Sequence, residues 1–154
     1  MNTPTWIKKR DYRIIVFEGC DCAGKTTLRH EYDKATNFRQ LVVDRMFLSS
    51  LVYNSVRERH DDLHDKILDD MNDFISRYDP LFVIRQPSLE VIERRFKSRG
   101  DWHIKFEELK EIYEEYNGYI SFLRNHPNFL ILDDDAEVHE HVIKIISRVS
   151  EMNE

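Results

Sequence analysis

One contiguous run of residues reads as chemistry: Gly19, Cys20, Asp21, Cys22, Ala23, Gly24, Lys25 and Thr26, with Thr27 beyond. It satisfies GxxxxGK[ST] in full, directly after an apolar run and directly before a stretch with helical spacing. Small, flexible residues let the main chain curl so that successive N–H groups aim at one phosphate. A helix beginning near Lys25 adds the positive end of its dipole. Lys25 would reach the outer phosphates of ATP, and the Thr26 hydroxyl would ligate Mg2+. The bland alternative is a chance match in an ordinary strand-to-helix turn, and the correct flanks on both sides argue against it. No guanine-reading NKxD segment follows, so a kinase-like use is favoured over a GTPase.

Other candidates lie outside the loop. Asp44 follows Leu41, Val42 and Val43, which places it at the C-terminal end of a strand, where open α/β sheets bind ligands. A carboxylate there helps hold Mg2+ through water or orients the acceptor oxygen; its structural alternative is a helix cap. Arg45, next to it, can clamp an acceptor phosphate bidentately, or form a surface ion pair. Arg94, Arg95 and Arg99 precede Gly100 near the end of one helix. Arginines in a mobile lid, roughly residues 94–104, would neutralise charge on the migrating phosphoryl group, with Arg95 and Arg99 the favoured pair. Glu18 either orients loop groups or is plainly structural. Asp21 would be repelled by phosphates and is expected to look toward the acceptor.

Several conspicuous residues read as structure. Tyr53 and Tyr113 could meet an acceptor base, but helix aromatics are more often core. The cluster His60-Asp61-Asp62-Leu63-His64 and the pair His139 and His141 have metal-ligand types without a second cluster beside them, and read as solvated. Asp133, Asp134 and Asp135 read as a cap for the last helix.

These residues need a scaffold. Short apolar runs at Arg13 to Phe17, Gln40 to Val43, Leu81 to Arg85 and Asn128 to Leu132 suit strands covered on both faces. Between and after them, Thr26 to Lys34, Phe47 to Arg59, Leu63 to Tyr78, Ser88 to Lys97, Phe106 to Arg124 and Glu137 to Ser150 have helical spacing. Pro80 and Pro127 stop helices, and Ser88 can cap one. Strands alternating with helices imply right-handed crossovers and a mainly parallel sheet of about four strands. The expected fold is α/β: a three-layer αβα P-loop NTPase fold in one domain, residues 1–154.

Composition narrows the function classes. The formal charge is −6 and acidic residues are spread along the chain, which disfavours duplex nucleic acid as a partner. No apolar run approaches the roughly 20 residues of a membrane span. Beyond Lys8, Lys9 and Arg10 the apolar stretch is too short for a signal-peptide core, so a cytoplasmic location is expected. Two cysteines inside one tight loop make neither a disulfide framework nor a zinc site, and are expected to be reduced.

The segment Phe17 to Thr27 resembles the FEGxDGxGKTT loop of thymidylate kinases. Gln40 to Asn54, QLVVDRMFLSSLVYN, resembles that family's strand and helix carrying DR and a Ser-Ser-Leu-x-Tyr pattern. Leu81 to Asp101 resembles its next strand, helix and arginine-bearing lid ending in RGD, and Tyr113 and Tyr116 fall where the family has an aromatic-bearing helix. The motifs come in family order. Cys22 stands where the family often has Gly. The family's extra strand with an arginine-bearing REP segment, which helps hold the acceptor, is missing between the first helix and the DR strand. The resemblance implies ATP with Mg2+, a deoxynucleoside monophosphate as acceptor, sheet order 2-1-3-4, adenine near Asp133 to Asp135, and pairing as a homodimer. The apolar positions of the 47–59 helix could serve that pairing or the core. The rivals are a nucleoside, sugar, small-metabolite or polynucleotide-end kinase, a silent ATP-binding module, and a domain whose loop binds nothing.

Overall fold

The structure, a computed structural model, describes residues 13–58, 60–100 and 104–154. The basic residues Lys8 to Arg10 and the 101–103 part of the expected lid lie outside them.

The four apolar runs form one parallel sheet. Its strands are β1 (Ile14–Glu18), β2 (Leu41–Asp44), β3 (Leu81–Arg85) and β4 (Phe129–Leu132), in the order β2-β1-β3-β4. All three pairings are parallel, with Phe17 opposite Asp44 and Glu18 opposite Ile84. The C-terminal ends of β1, β2 and β3, which carry Glu18, Asp44 and Arg85, therefore line up.

Alternation along the buried strands sorts side chains into two cores. Val16, Phe82 and Ile84 pack on one face against α2 (Phe47–Tyr53), α3 (Asp61–Tyr78), α4 (Leu89–Arg99) and α5 (Phe106–Leu123). Ile15, Phe17, Leu81 and Val83 pack on the other against α1 (Lys25–Ala35) and α6 (Val138–Met152). This is the expected three-layer arrangement. No described helix is long and apolar enough to cross a membrane.

Local signals behave as their chemistry dictates. The Ser88 hydroxyl accepts from the Val91 N–H and caps α4. Asp79 ends α3 in the left-handed region at φ 47°, just before Pro80. Leu48, Leu51 and Val52, which sequence leaves between a core and a pairing face, are buried in the chain's own core.

Three readings need correction. The single helix expected over 47–59 is α2 followed by a π-helical turn, Asn54–Glu58. There the Asn54 amide donates to the His60 carbonyl at 3.1 Å and its oxygen accepts the His60 N–H at 3.3 Å, drawing the chain inward. His141 is not solvated: it is fully buried, with Nε2 on the Asp134 carboxylate. Nor do the three aspartates cap α6, whose N-cap residue is Glu137 with no side-chain bond. Asp133 instead pairs with Arg124, Asp134 takes His141 and Lys144, and Asp135 accepts the Ser88 N–H at 2.9 Å. Asp133 and Asp135 bond residues outside α6, and Asp134 is held by side chains of α6.

Candidate active site

The phosphate loop spans β1 to α1, and its backbone explains its residues. Gly19 has φ 147°, and a Cβ there would lie 2.6 Å from the Arg85 carbonyl oxygen. Gly24 has φ 81°, and a Cβ would lie 2.7 Å from Arg85 Nη1 and 3.0 Å from Arg95 Nη1. Cys22, where the resembled family often has Gly, adopts φ 68° despite its side chain. Gly24 is the N-cap of α1 and contributes no side-chain bond, so the first turn presents bare N–H groups to a ligand. The Thr26 and Thr27 side chains beside it are exposed.

The cysteines stay thiols. Both are free and buried. Burial, with Asp21 adding to it, pushes the Cys20 thiol up to about 12, and burial raises Cys22 as well. Neither is a nucleophile at neutral pH.

Lys25 and Asp44 meet as their strand positions require. The Lys25 ammonium, 7% exposed, donates to the Asp44 carboxylate. Burial pulls Lys25 below its ordinary value, and Asp44 offsets this only in part. The Asp44 side chain is 40% exposed and opens onto a cavity of about 270 Å³ bounded by the loop, Arg45 and Arg99. A hydroxyl (Thr26), a carboxylate (Asp44) and room for phosphate oxygens form an oxygen donor set of the kind Mg2+ takes. No cluster of three or more His, Cys, Asp or Glu that could hold a metal occurs among the described residues.

Arg45 sits in the left-handed region at φ 62°, which swings its guanidinium back beside the loop. It donates to Ser49 Oγ at 3.2 Å, the Tyr116 hydroxyl at 3.3 Å and Asp21 Oδ1 at 3.2 Å. Asp21 thus faces the Arg45 guanidinium and is held there by an ion pair.

Beneath Arg45 lies a network that sequence reasoning did not assemble. The Glu18 carboxylate is fully buried and accepts from the Met46 N–H at 2.8 Å, the Ser49 N–H at 3.4 Å, Ser49 Oγ at 2.5 Å and the Tyr116 hydroxyl at 3.3 Å. It caps α2 from another strand, because Met46 and Ser49 hold the N-cap and third positions of that helix. Burial raises the Glu18 pKa against these hydrogen bonds. The available signal was the phase of Ser49 and Tyr116, polar groups on the apolar stripes of their helices.

The α4 arginines separate by helical phase. Arg95 donates to the Cys22 carbonyl at 3.0 Å, and Arg99 lines the loop cavity. Arg94 is exposed. Arg85, which sequence reasoning passed over as a strand boundary, reaches the loop too, donating to the Gly24 carbonyl at 2.8 Å. A second cavity, about 810 Å³, starts at Thr27, Arg85 and Arg95 and runs past Asp135 along the apolar side chains of α6. Of the aromatics, Tyr113 is committed to the scaffold through its hydroxyl on the Pro87 carbonyl at 3.0 Å. Tyr53 is half-buried under the Arg57 guanidinium, 4.8 Å from its ring centre.

No protein-family model matches the chain, and no curated protein matches its sequence. Solved structures do match. The YorR protein from Bacillus subtilis, in complex with phosphorylated GDP, superposes with a TM-score of 0.68 at 21% identity over 89% of this chain and 95% of its own. Deoxyadenosine kinase from M. mycoides with bound dCTP gives 0.63 at 14% identity over 90% and 99%. Thymidylate kinase from Candida albicans gives 0.57 at 15% identity over 92% of both chains. At these identities the likeness is one of architecture, and the chain has the fold shared by P-loop nucleoside and nucleotide kinases.

Proposed function

We propose that the protein transfers the terminal phosphoryl group of ATP to a small nucleotide acceptor, a deoxynucleoside monophosphate. The observation that carries this reading is the single cavity in which the phosphate loop, Lys25, Asp44, Arg45 and Arg99 face one another. Phosphoryl transfer asks a protein for positioning and charge rather than covalent chemistry. The N–H groups at the start of α1 hold the donor phosphates, and Lys25 exchanges Asp44 for a phosphate oxygen. Arg45 holds the acceptor phosphate on the opposite wall. Arg95 and Arg99 cover the migrating group. Thr26 and Asp44 would hold Mg2+, which would supply charge neutralisation at the outer phosphates. The nucleotide ligands of the architectural neighbours support an acceptor of the same chemical class. A second reading, a nucleoside acceptor, is favoured by Asp21, whose carboxylate lies beside Arg45 and could take a hydroxyl proton, and by the missing REP segment. Incubation with ATP and a panel of deoxynucleosides, monophosphates and oligonucleotides tests both. Turnover restricted to monophosphates is expected; ATP binding with no turnover on any acceptor would leave only a nucleotide-binding module.

A further inference from the structure

We infer that Arg85 is a donor ligand built into the sheet: its guanidinium, with Arg95, contacts the donor's polyphosphate where the chain leaves the loop for the second cavity. The inference rests on the donor-binding reading above and extends it to a residue of the fixed scaffold.

Arg85 is the last residue of β3 and only 4% exposed. Five N–H donors on a buried guanidinium call for several acceptors. Among the described residues Arg85 has one, the Gly24 carbonyl, and its Nε is buried with no partner. Arg95 aggravates the shortfall. The two Nη1 atoms lie 2.7 Å and 3.0 Å from one point, the Cβ position of Gly24. Burial first, and Arg95 second, pull the Arg85 pKa down; Asp134 opposes them without a hydrogen bond and is itself held by His141 and Lys144. Two like charges converging on one point, with no carboxylate hydrogen-bonded to either among the described residues, call for an anion. The place identifies it. Thr27 lines both the loop cavity and the second one, so the two adjoin at the start of α1, and Arg85 and Arg95 border that junction. A nucleoside triphosphate with its outer phosphates in the loop and its base along α6 must cross there. Because β3 is a central strand, this charge is in place before any lid closes.

The test compares Arg85→Gln and Arg85→Lys with the unaltered protein, by calorimetric titration of ATP and of inorganic tripolyphosphate and by thermal melting. Arg85→Gln is expected to weaken ATP binding about ten- to hundredfold, the range of a lost charge-assisted hydrogen bond. Arg85→Lys should recover part of it. In the unaltered protein the Arg85 Nε–H resonance should shift when tripolyphosphate is added, a readout that survives if either variant fails to fold. A folded Arg85→Gln protein with ATP affinity within about twofold of the unaltered one, or an Nε–H unmoved by a saturating anion, would reduce Arg85 to a strut for Gly24. If the unaltered protein binds neither ATP nor tripolyphosphate, it is the phosphate-loop reading that fails first.

Discussion

Two arginines, one at each end of the sheet, are buried to nearly the same degree and treated in opposite ways. Arg13 enters β1 from the N-terminal side at 6% exposure; Arg85 leaves β3 on the C-terminal side at 4%. Arg13 is saturated. Its nitrogens reach the Asp79 carbonyl, Asp79 Oδ2 at 2.8 Å, Asn153 Oδ1 at 2.7 and 3.1 Å, and the Met152 carbonyl at 3.2 Å. It pins the start of the sheet to the ends of α3 and α6. Among the described residues Arg85 has a single acceptor and an orphan Nε. A guanidinium that the fold has finished with holds structure together. One left incomplete beside a phosphate loop awaits a ligand.

Variants at the two ends should therefore damage different properties. Lys25→Ala should lower turnover about a hundred- to a thousandfold, the cost of removing a charged contact to the transferring group. Its melting temperature should change little, since the cation it deletes is itself held below its ordinary pKa by burial. A large loss of stability with retained turnover would invert the contrast. Arg13→Met should do the reverse, costing about 3 kcal/mol of stability by orphaning carbonyls at both helix ends. Denaturant titration reads the loss, and ATP affinity of the folded fraction should be unchanged.

Glu18 offers a sharper test because it belongs to both classes. Its folded pKa is raised above 4.5, first by burial. The native state therefore holds its proton more tightly than the unfolded chain, and stability should fall as pH rises from 4.5 through the raised value. Glu18→Gln should flatten that slope in denaturant titrations at several pH values, and at neutral pH should shift stability by about 2 kcal/mol or less. Tyr116→Phe is the mildest change. Losing one hydroxyl beside Arg45 should cost about 1 kcal/mol, read as a raised acceptor KM with the KM for ATP unchanged. Equal increases in both would place Tyr116 outside the acceptor side.

The phosphate loop was legible because its residues are neighbours in the chain. Gly19 to Thr27 forms one uninterrupted word, and Asp44 and Arg45 announce themselves by ending an apolar run. The strand order and the two-faced sheet followed from unalternated strands and the helices between them. The network behind Arg45 was not legible. Glu18 meets Ser49 and Tyr116 across 31 and 98 residues of chain, and no local pattern records such a meeting. Arg85 was hidden for a different reason: an arginine closing Leu81 to Ile84 looks like a strand running out into solvent, and only the register of β3 against β1 turns it under the loop. His141 was misread similarly. Its partner Asp134 lies in the loop before α6, outside the helix whose spacing was read.

Glu18 and Gly19 are joined by one peptide bond, yet the first grips the start of α2 while the second opens the phosphate loop. A tilt of α2 on binding at Arg45 would be felt at that joint. It would pass to the backbone amides of the loop. Loading one substrate should then retune the grip on the other by the same factor in either direction, as thermodynamic reciprocity demands.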